Sequence, residues 1–211
     1  MDMRQDALDK ANDDPHGTSA RILDAAEDLF AEHGYAGTST RAIATRARVP
    51  FGALHYHWGS KKHLWEAVFK RLAESTRDTI LANLKPGSTM GETLDNITDA
   101  FVERLIASPN TVRLSYRMTL ERRELHVAGH QDAIRELAAF GAGLLRDAGA
   151  DPALDTAAAF LVISNAFIGA IADWDAQEVM LGGTVLASRA ARERVRAELR
   201  RVARAVFKVS D

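Results

Sequence analysis

The chain has 211 residues, 46% of them hydrophobic and 27% charged, with 27 Lys and Arg against 29 Asp and Glu. That balance supports a packed core and excludes disorder of the whole chain. Cysteine is absent, which excludes disulfide frameworks, thiol catalysis and Cys-ligated zinc and makes a reducing cytoplasm the expected compartment.

Residues 1–17 carry five Asp against Arg4 and Lys10 and hold no apolar run of a secretory signal, which predicts a disordered acidic tail. From residue 20 onward the 3.6-residue apolar period recurs and no window sustains period-2 alternation, so the fold class is all-α with about nine helices. The first helix is expected from Thr18 or Ser19, with Ile22, Ala26, Leu29, Phe30 and His33 on one stripe, and Gly34 ends it. Residues 38–71 then hold seven cations (Arg41, Arg46, Arg48, Lys61, Lys62, Lys70, Arg71) against the single acid Glu66, a net +6 in a chain that is nearly neutral overall.

The stretch TSTRAIATRARVPFGALHYHWGSKKH at 38–63 is the most informative. Thr38, Ser39 and Thr40 can cap a short helix that turns Ile43, Ala44 and Ala47 inward. Pro50 suits the first turn of a second one. Leu54 and Trp58, spaced i, i+4, can pack back onto Ile43 and Val49, and Ala44 and Gly52 are small where the two helices cross. Two short helices joined by a tight turn behind a supporting helix are the helix-turn-helix arrangement. Phe51, Ala53, His55, Tyr56 and His57 are left to face outward, where such a helix suits a DNA major groove while nearby cations hold phosphates.

On the runs ILDAAEDLFAEHGYAGTSTRAIA (22–44) and GALHYHWGSKKHL (52–64), the segment from Ala20 to Leu64 resembles the N-terminal domain of the tetracycline-repressor (TetR) family of bacterial transcription regulators. The resemblance implies that Thr40 and Arg41 touch phosphate or an operator base, that Phe51, Gly52, Ala53, Tyr56 and His57 form the recognition helix, and that Lys61 meets phosphate. Three departures bear on operator choice. Arg48 stands where a turn Gly is usual, which costs about 1 kcal/mol if the backbone there is left-handed, and its guanidinium can reach the DNA backbone. Pro50-Phe51 replaces a Ser-Lys or Ser-Arg pair, and His55 replaces Tyr.

The resemblance further implies a helix-turn-helix domain at 18–63 and a ligand-binding and dimerisation domain at 64–211. The last two long helices, expected at about 153–176 and 187–208, would form a four-helix bundle in a homodimer, with Phe160, Phe167, Val195, Leu199 and Val202 at the interface. The run 157–172 is almost continuously apolar and too short for a bilayer, so one face is expected in the core and the other against a second subunit, with no membrane partner. Arg189, Arg192, Arg196 and Arg200 lie mostly off the apolar stripe and read as a solvated basic face. For a small-molecule effector of apolar or aromatic character, the middle helices offer Phe101, Leu105, Tyr116, Met118, Leu120, Leu137, Phe140, Leu144, Asn165 and Trp174, each singly more at home in a core than against a ligand.

The expected function is thus a ligand-responsive, sequence-specific regulator of transcription, a repressor released from its double-stranded DNA operator by that effector. No nucleophile elbow, P-loop or dinucleotide fingerprint occurs, so neither enzyme activity nor a cofactor is expected. His126 and His130, spaced i, i+4, could bind a metal with Glu124 or Asp132, but such pairs are more often surface histidines. A helical adaptor that docks proteins through the basic head is the alternative, and a steep salt dependence of DNA affinity separates the two.

Overall fold

The computed structural model describes residues 17–121, 128–147, 151, 153–172 and 174–209, and among these ten helices and no strand. The acidic-tail reading, apart from Gly17, and His126 lie outside the described residues, as does the His130 side chain. The helices are α1 (Thr18–Gly37), α2 (Thr40–Arg46), α3 (Phe51–Trp58), α4 (Lys61–Ala82), α5 (Met90–Ala107), α6 (Pro109–Glu121), α7 (Ala128–Asp147), α8 (Thr156–Ala172), α9 (Trp174–Leu181) and α10 (Arg189–Val206). The helix expected over 153–176 ends at Ala172, and the short α9 follows as a separate element, which accounts for ten helices against about nine. No single helix among the described residues is long and apolar enough to cross a membrane.

The chain divides into two compact units. The first takes in the described residues up to Glu74 together with Arg113–Ile134. Its core joins Ile22, Leu23, Ala26 and Phe30 of α1 to Ile43 and Ala44 of α2, Leu54 and Trp58 of α3, Leu64, Trp65 and Val68 of α4, and Leu114 of α6. Trp65 stacks edge-on against Phe30 (4.9 Å between centroids), Tyr35 (5.4 Å) and Phe69 (4.7 Å). Neither Thr18 nor Ser19 caps α1; Gly17 occupies the cap position without a side chain to offer. The break at Gly34 is as expected (φ 72°, ψ −179°), with one further turn running on to Gly37.

The second unit comprises Ser75–Val112 and Arg135–Asp211. Its core gathers Leu94, Val102 and Leu105 of α5, Ala159, Ile163, Phe167 and Ile171 of α8, and Leu199 and Ala203 of α10. Thr89 and Glu92 close a reciprocal capping box at the start of α5. Gly141 of α7 lies against Phe160 of α8, where a Cβ would be 3.5 Å from its ring; that is ordinary packing distance and explains a glycine inside a helix as a close crossing. Along α5, Asp95, Asp99 and Glu103 form an acidic stripe at i, i+4, i+8, and Arg204, Arg200 and Arg196 of α10 answer it in antiparallel order. Arg204 pairs with Asp95 (2.9 Å), Arg200 with Asp99, and Arg196 with Glu103. The expected solvated basic face of α10 is therefore corrected: at Arg196 and Arg200 the off-stripe cations are buttoned onto a neighbouring helix, and Arg192 donates to the Val185 carbonyl (3.1 Å).

Candidate nucleic-acid interface

The interface is built on the turn between α2 and α3. Ser39 caps α2 by accepting from the Ala42 N–H (3.1 Å). At the other end Val49 N donates to Ala44 O (3.0 Å) and Arg48 N to Thr45 O (3.1 Å), the paired bonds of a Schellman turn with Arg48 at its left-handed position, φ 55°. The strain anticipated for an arginine in place of glycine is present.

Pro50 then starts α3 from the cap position (φ −57°, ψ 142°), one residue earlier than a first-turn placement. Leu54 and Trp58 are buried, and the Trp58 indole N–H donates to the Ser19 carbonyl (3.3 Å), tying the end of α3 to the start of α1. With that side fixed, Phe51, Gly52, His55 and Tyr56 are exposed, Tyr56 at 86%, while Ala53 and His57 are half-buried. Around them Arg41, Arg48 and Lys62 are exposed and Thr40 is half-buried. The Arg41 guanidinium carbon lies 5.9 Å from the centre of the Phe51 ring, and His55 meets the same ring edge-on at 4.9 Å. Nothing lies within 4 Å of the point where a Gly52 Cβ would stand, so the backbone there is open to close approach.

Lys61 behaves otherwise than a phosphate-seeking cation. Its ammonium donates to the carbonyls of Tyr35 and Thr38 (both 2.8 Å) and sits 4.2 Å from the centre of the Tyr35 ring. Two of its three N–H bonds thus close the end of α1, because the break at Gly34 leaves carbonyls there without helical partners. Burial pushes the Lys61 amine below its ordinary range, partly opposed by the Glu121 carboxylate. Burial, together with the Glu66 carboxylate, pushes the Tyr35 phenol up.

The same break frees the Tyr35 N–H, and Glu121 of α6 accepts it at 2.7 Å. Arg117, one turn earlier, donates to the Glu32 carbonyl (2.9 Å). Glu121 and Arg117 were not picked out from the sequence; their partners lie 86 and 85 positions away and nothing local signals the pairing. Two cations counted in the +6 segment are also engaged internally. Arg46 bonds Asp28 (3.0 Å), and Arg71 bonds Asp24 (2.5 Å) and Glu27, all on α1.

Residues 22–68 match the family described as bacterial regulatory proteins, tetR family. The likeness to that family lies in the head, from α1 into α4. A curated relative, the HTH-type transcriptional repressor Rv3405c of Mycobacterium tuberculosis, is 50% identical over 54 residues, which are 26% of this chain and 29% of the relative. The match therefore spans less than a third of that relative's length. Among solved structures, Salmonella enterica GusR aligns with a TM-score of 0.71 at 22% identity, over 90% of this chain and 95% of that one. The transcriptional regulator SCO4942 of Streptomyces coelicolor aligns with a TM-score of 0.65 at 25% identity, over 92% and 100%. The sequence likeness to a curated relative is thus concentrated in the head, whereas the likeness in fold to these solved structures covers about nine-tenths of the chain.

The expected effector residues are divided between the two units. Leu105 is buried, Phe101 packs on Phe167 (5.8 Å between centroids), and Leu137, Phe140 and Leu144 are half-buried on α7. Asn165 is exposed and its amide donates to Leu161 O (2.8 Å), so it is no buried polar anchor. Tyr116 is exposed and belongs to the first unit, whereas Phe101, Leu105 and α7 from Arg135 onward belong to the second. The side chains of Met118, Leu120 and Trp174 lie outside the described residues.

The residues expected at the dimer face are mostly turned inward within the chain. Phe167 and Leu199 are buried in the second unit's own core, Phe160 and Val195 are half-buried, and only Val202 is exposed. The apolar side chains that α8 turns outward are instead Leu161 (63% exposed) and Val162 (54%).

Proposed function

We propose that this chain is a sequence-specific DNA-binding repressor that acts in the cytoplasm as a homodimer and leaves its operator when a small apolar or aromatic effector binds. The observation that carries the reading is α3. Leu54 and Trp58 lock it into the head, and the opposite side, Phe51, Gly52, His55 and Tyr56, lies outside the core and stands exposed beside Arg41, Arg48 and Lys62. A helix so presented fits the major groove, with base edges met by its side chains and phosphates by the flanking cations. The tetR-family match over residues 22–68 and the repressor name of the relative Rv3405c support the same assignment.

Half-sites one helical turn apart, about 34–36 Å, require two heads, hence two chains. For the contact between them we propose the outward faces of α8 and α10, centred on Leu161, Val162 and Val202. Leu161→Glu yields monomers in sedimentation velocity with the helical circular dichroism intact. Phe167→Glu, which places a charge in the core, unfolds the second unit instead. A Leu161→Glu protein that stays dimeric removes this interface.

For the DNA function, the full chain is mixed with sheared genomic DNA and the retained fragments are sequenced. Enrichment of one motif over random competitor, repression of a reporter placed behind it, and loss of both on Tyr56→Ala are the expected results. Retention without sequence preference overturns the assignment. Effector response is tested by displacement of the retained fragment with a panel of uncharged aromatic compounds.

A further inference from the structure

Resting on that DNA-reading function, we propose that Phe51 is a positioning residue for Arg41, and that the pair reads one base step, a guanine for Arg41 beside a thymine whose methyl meets Phe51. Helix α3 has no Lys or Arg between Phe51 and Trp58, so the usual bidentate arginine contact to guanine N7 and O6 cannot come from it. Among the arginines of α2 and the turn, Arg46 is paired with Asp28, and Arg48 is exposed in the turn, where its guanidinium is expected at the DNA backbone. Arg41 is exposed, and its guanidinium lies within cation–π range of the Phe51 ring.

Drawing a guanidinium over the face of an aromatic ring favours some of its rotamers before DNA arrives, and leaves its fork of N–H donors free for a base edge. Phe51 is in turn held by the His55 ring edge-on, and its remaining exposed surface is apolar, the chemistry that a thymine methyl meets. The adjoining Gly52 leaves room for the base-pair edge to come close. The recognition unit is therefore split across two helices: α2 supplies the charge and α3 aims it.

The test uses the full chain and a pool of duplexes with a randomised central stretch. The wild type is expected to enrich half-sites with an adjoining guanine and thymine, and changing that guanine to adenine weakens binding at least tenfold. F51L, which keeps an apolar side chain but removes the ring, lowers the preference for that guanine about three- to fivefold and leaves affinity for an unselected duplex within twofold. F51W retains the preference. In an R41A background F51L changes the guanine preference no further, the signature of an effect exerted through Arg41.

Unchanged discrimination in F51L overturns the proposal, as does an equal loss on selected and unselected DNA or an undiminished F51L effect in the R41A background. Enriched half-sites that lack the guanine–thymine step overturn it and leave the DNA-reading function standing. A wild type that enriches no sequence removes that function and the pairing together.

Discussion

Replacing Arg48 by glycine should make the protein more stable and a poorer DNA binder at once. Arg48 sits at φ 55° in a turn that closes on two backbone hydrogen bonds, 3.0 and 3.1 Å long, and its side chain is exposed. A left-handed conformation costs a non-glycine residue about 1–2 kcal/mol. Glycine removes that strain but gives the unfolded chain more freedom, an opposing effect of about 0.4–1 kcal/mol. The net expectation is about 0.5–1 kcal/mol of added stability, or roughly 1–4 °C in Tm for a chain of this size. Arg48→Ala separates strain from charge, because alanine keeps the strain and loses only the guanidinium; its stability stays near the wild type. Both substitutions lose a cation, so both should flatten the salt dependence of DNA affinity by about one charge per head. Thermal melts monitored by circular dichroism, with anisotropy titrations at several salt concentrations, measure the two effects side by side. Arg48→Gly melting below wild type would refute the strain argument.

Other substitutions reach separate links of the same structure. Gly34→Ala places a Cβ on Glu121 Oε1 at a backbone conformation close to glycine-only, so about 2–4 kcal/mol of stability should be lost in urea titration, and a neutral result would mean that the turn re-forms elsewhere. Leu54→Ala empties a fully buried site between α3 and α1, and a loss of about 2–5 kcal/mol is expected together with weaker DNA binding. In the second unit, Arg204 donates to Asp95 and lies beside it, holding that carboxyl below the usual range against the opposing effect of burial. Because the folded-state pKa is the lower one, the stabilisation is complete above the unfolded-state value and is lost as pH falls through the acid range. Arg204→Gln should therefore narrow the gap between the urea midpoints at pH 7 and pH 3, and an unchanged gap would exclude the pair as its source.

What could be read from the sequence was local. The cap at Ser39, the inward pair Leu54 and Trp58 and the break at Gly34 depend on residues within a few positions of one another and are exposed by local pattern, while the strained turn at Arg48 follows from the family resemblance. The partners of charged side chains could not be read this way. Arg46 reaches back 18 positions to Asp28, and Arg204 reaches 109 to Asp95, with nothing near either end to announce it. The outward side of α8 could not be read for a different reason. Helix α8 is apolar nearly all round, so its sequence has no polar side to fix its rotation; only the packing of Ile163 and Phe167 shows that Leu161 and Val162 are the ones left outside.

The same distinction sets the electrostatics of the head. Counted along the chain, residues 38–71 offer seven cations to DNA. In the folded head Arg46 and Arg71 neutralise the acidic side of α1, and Lys61 closes that helix through two carbonyls. Of the other four, Lys70 is half-buried on α4, and Arg41, Arg48 and Lys62 stand exposed. Each phosphate neutralised contributes about −0.9 to the slope of log affinity against log salt. Three cations per head give a slope of about −5 for two heads, whereas all seven would give about −13. A titration of the dimer on its selected duplex between low and moderate salt distinguishes these values easily. A slope near −5 means that fold stability and DNA attraction draw on separate cations, so that Arg71→Gln weakens the head without altering the slope. A slope near −13 would mean that the α1 pairs open on DNA, and the acidic residues Asp24, Glu27 and Asp28 would then act as competitors for the operator rather than as partners within the fold.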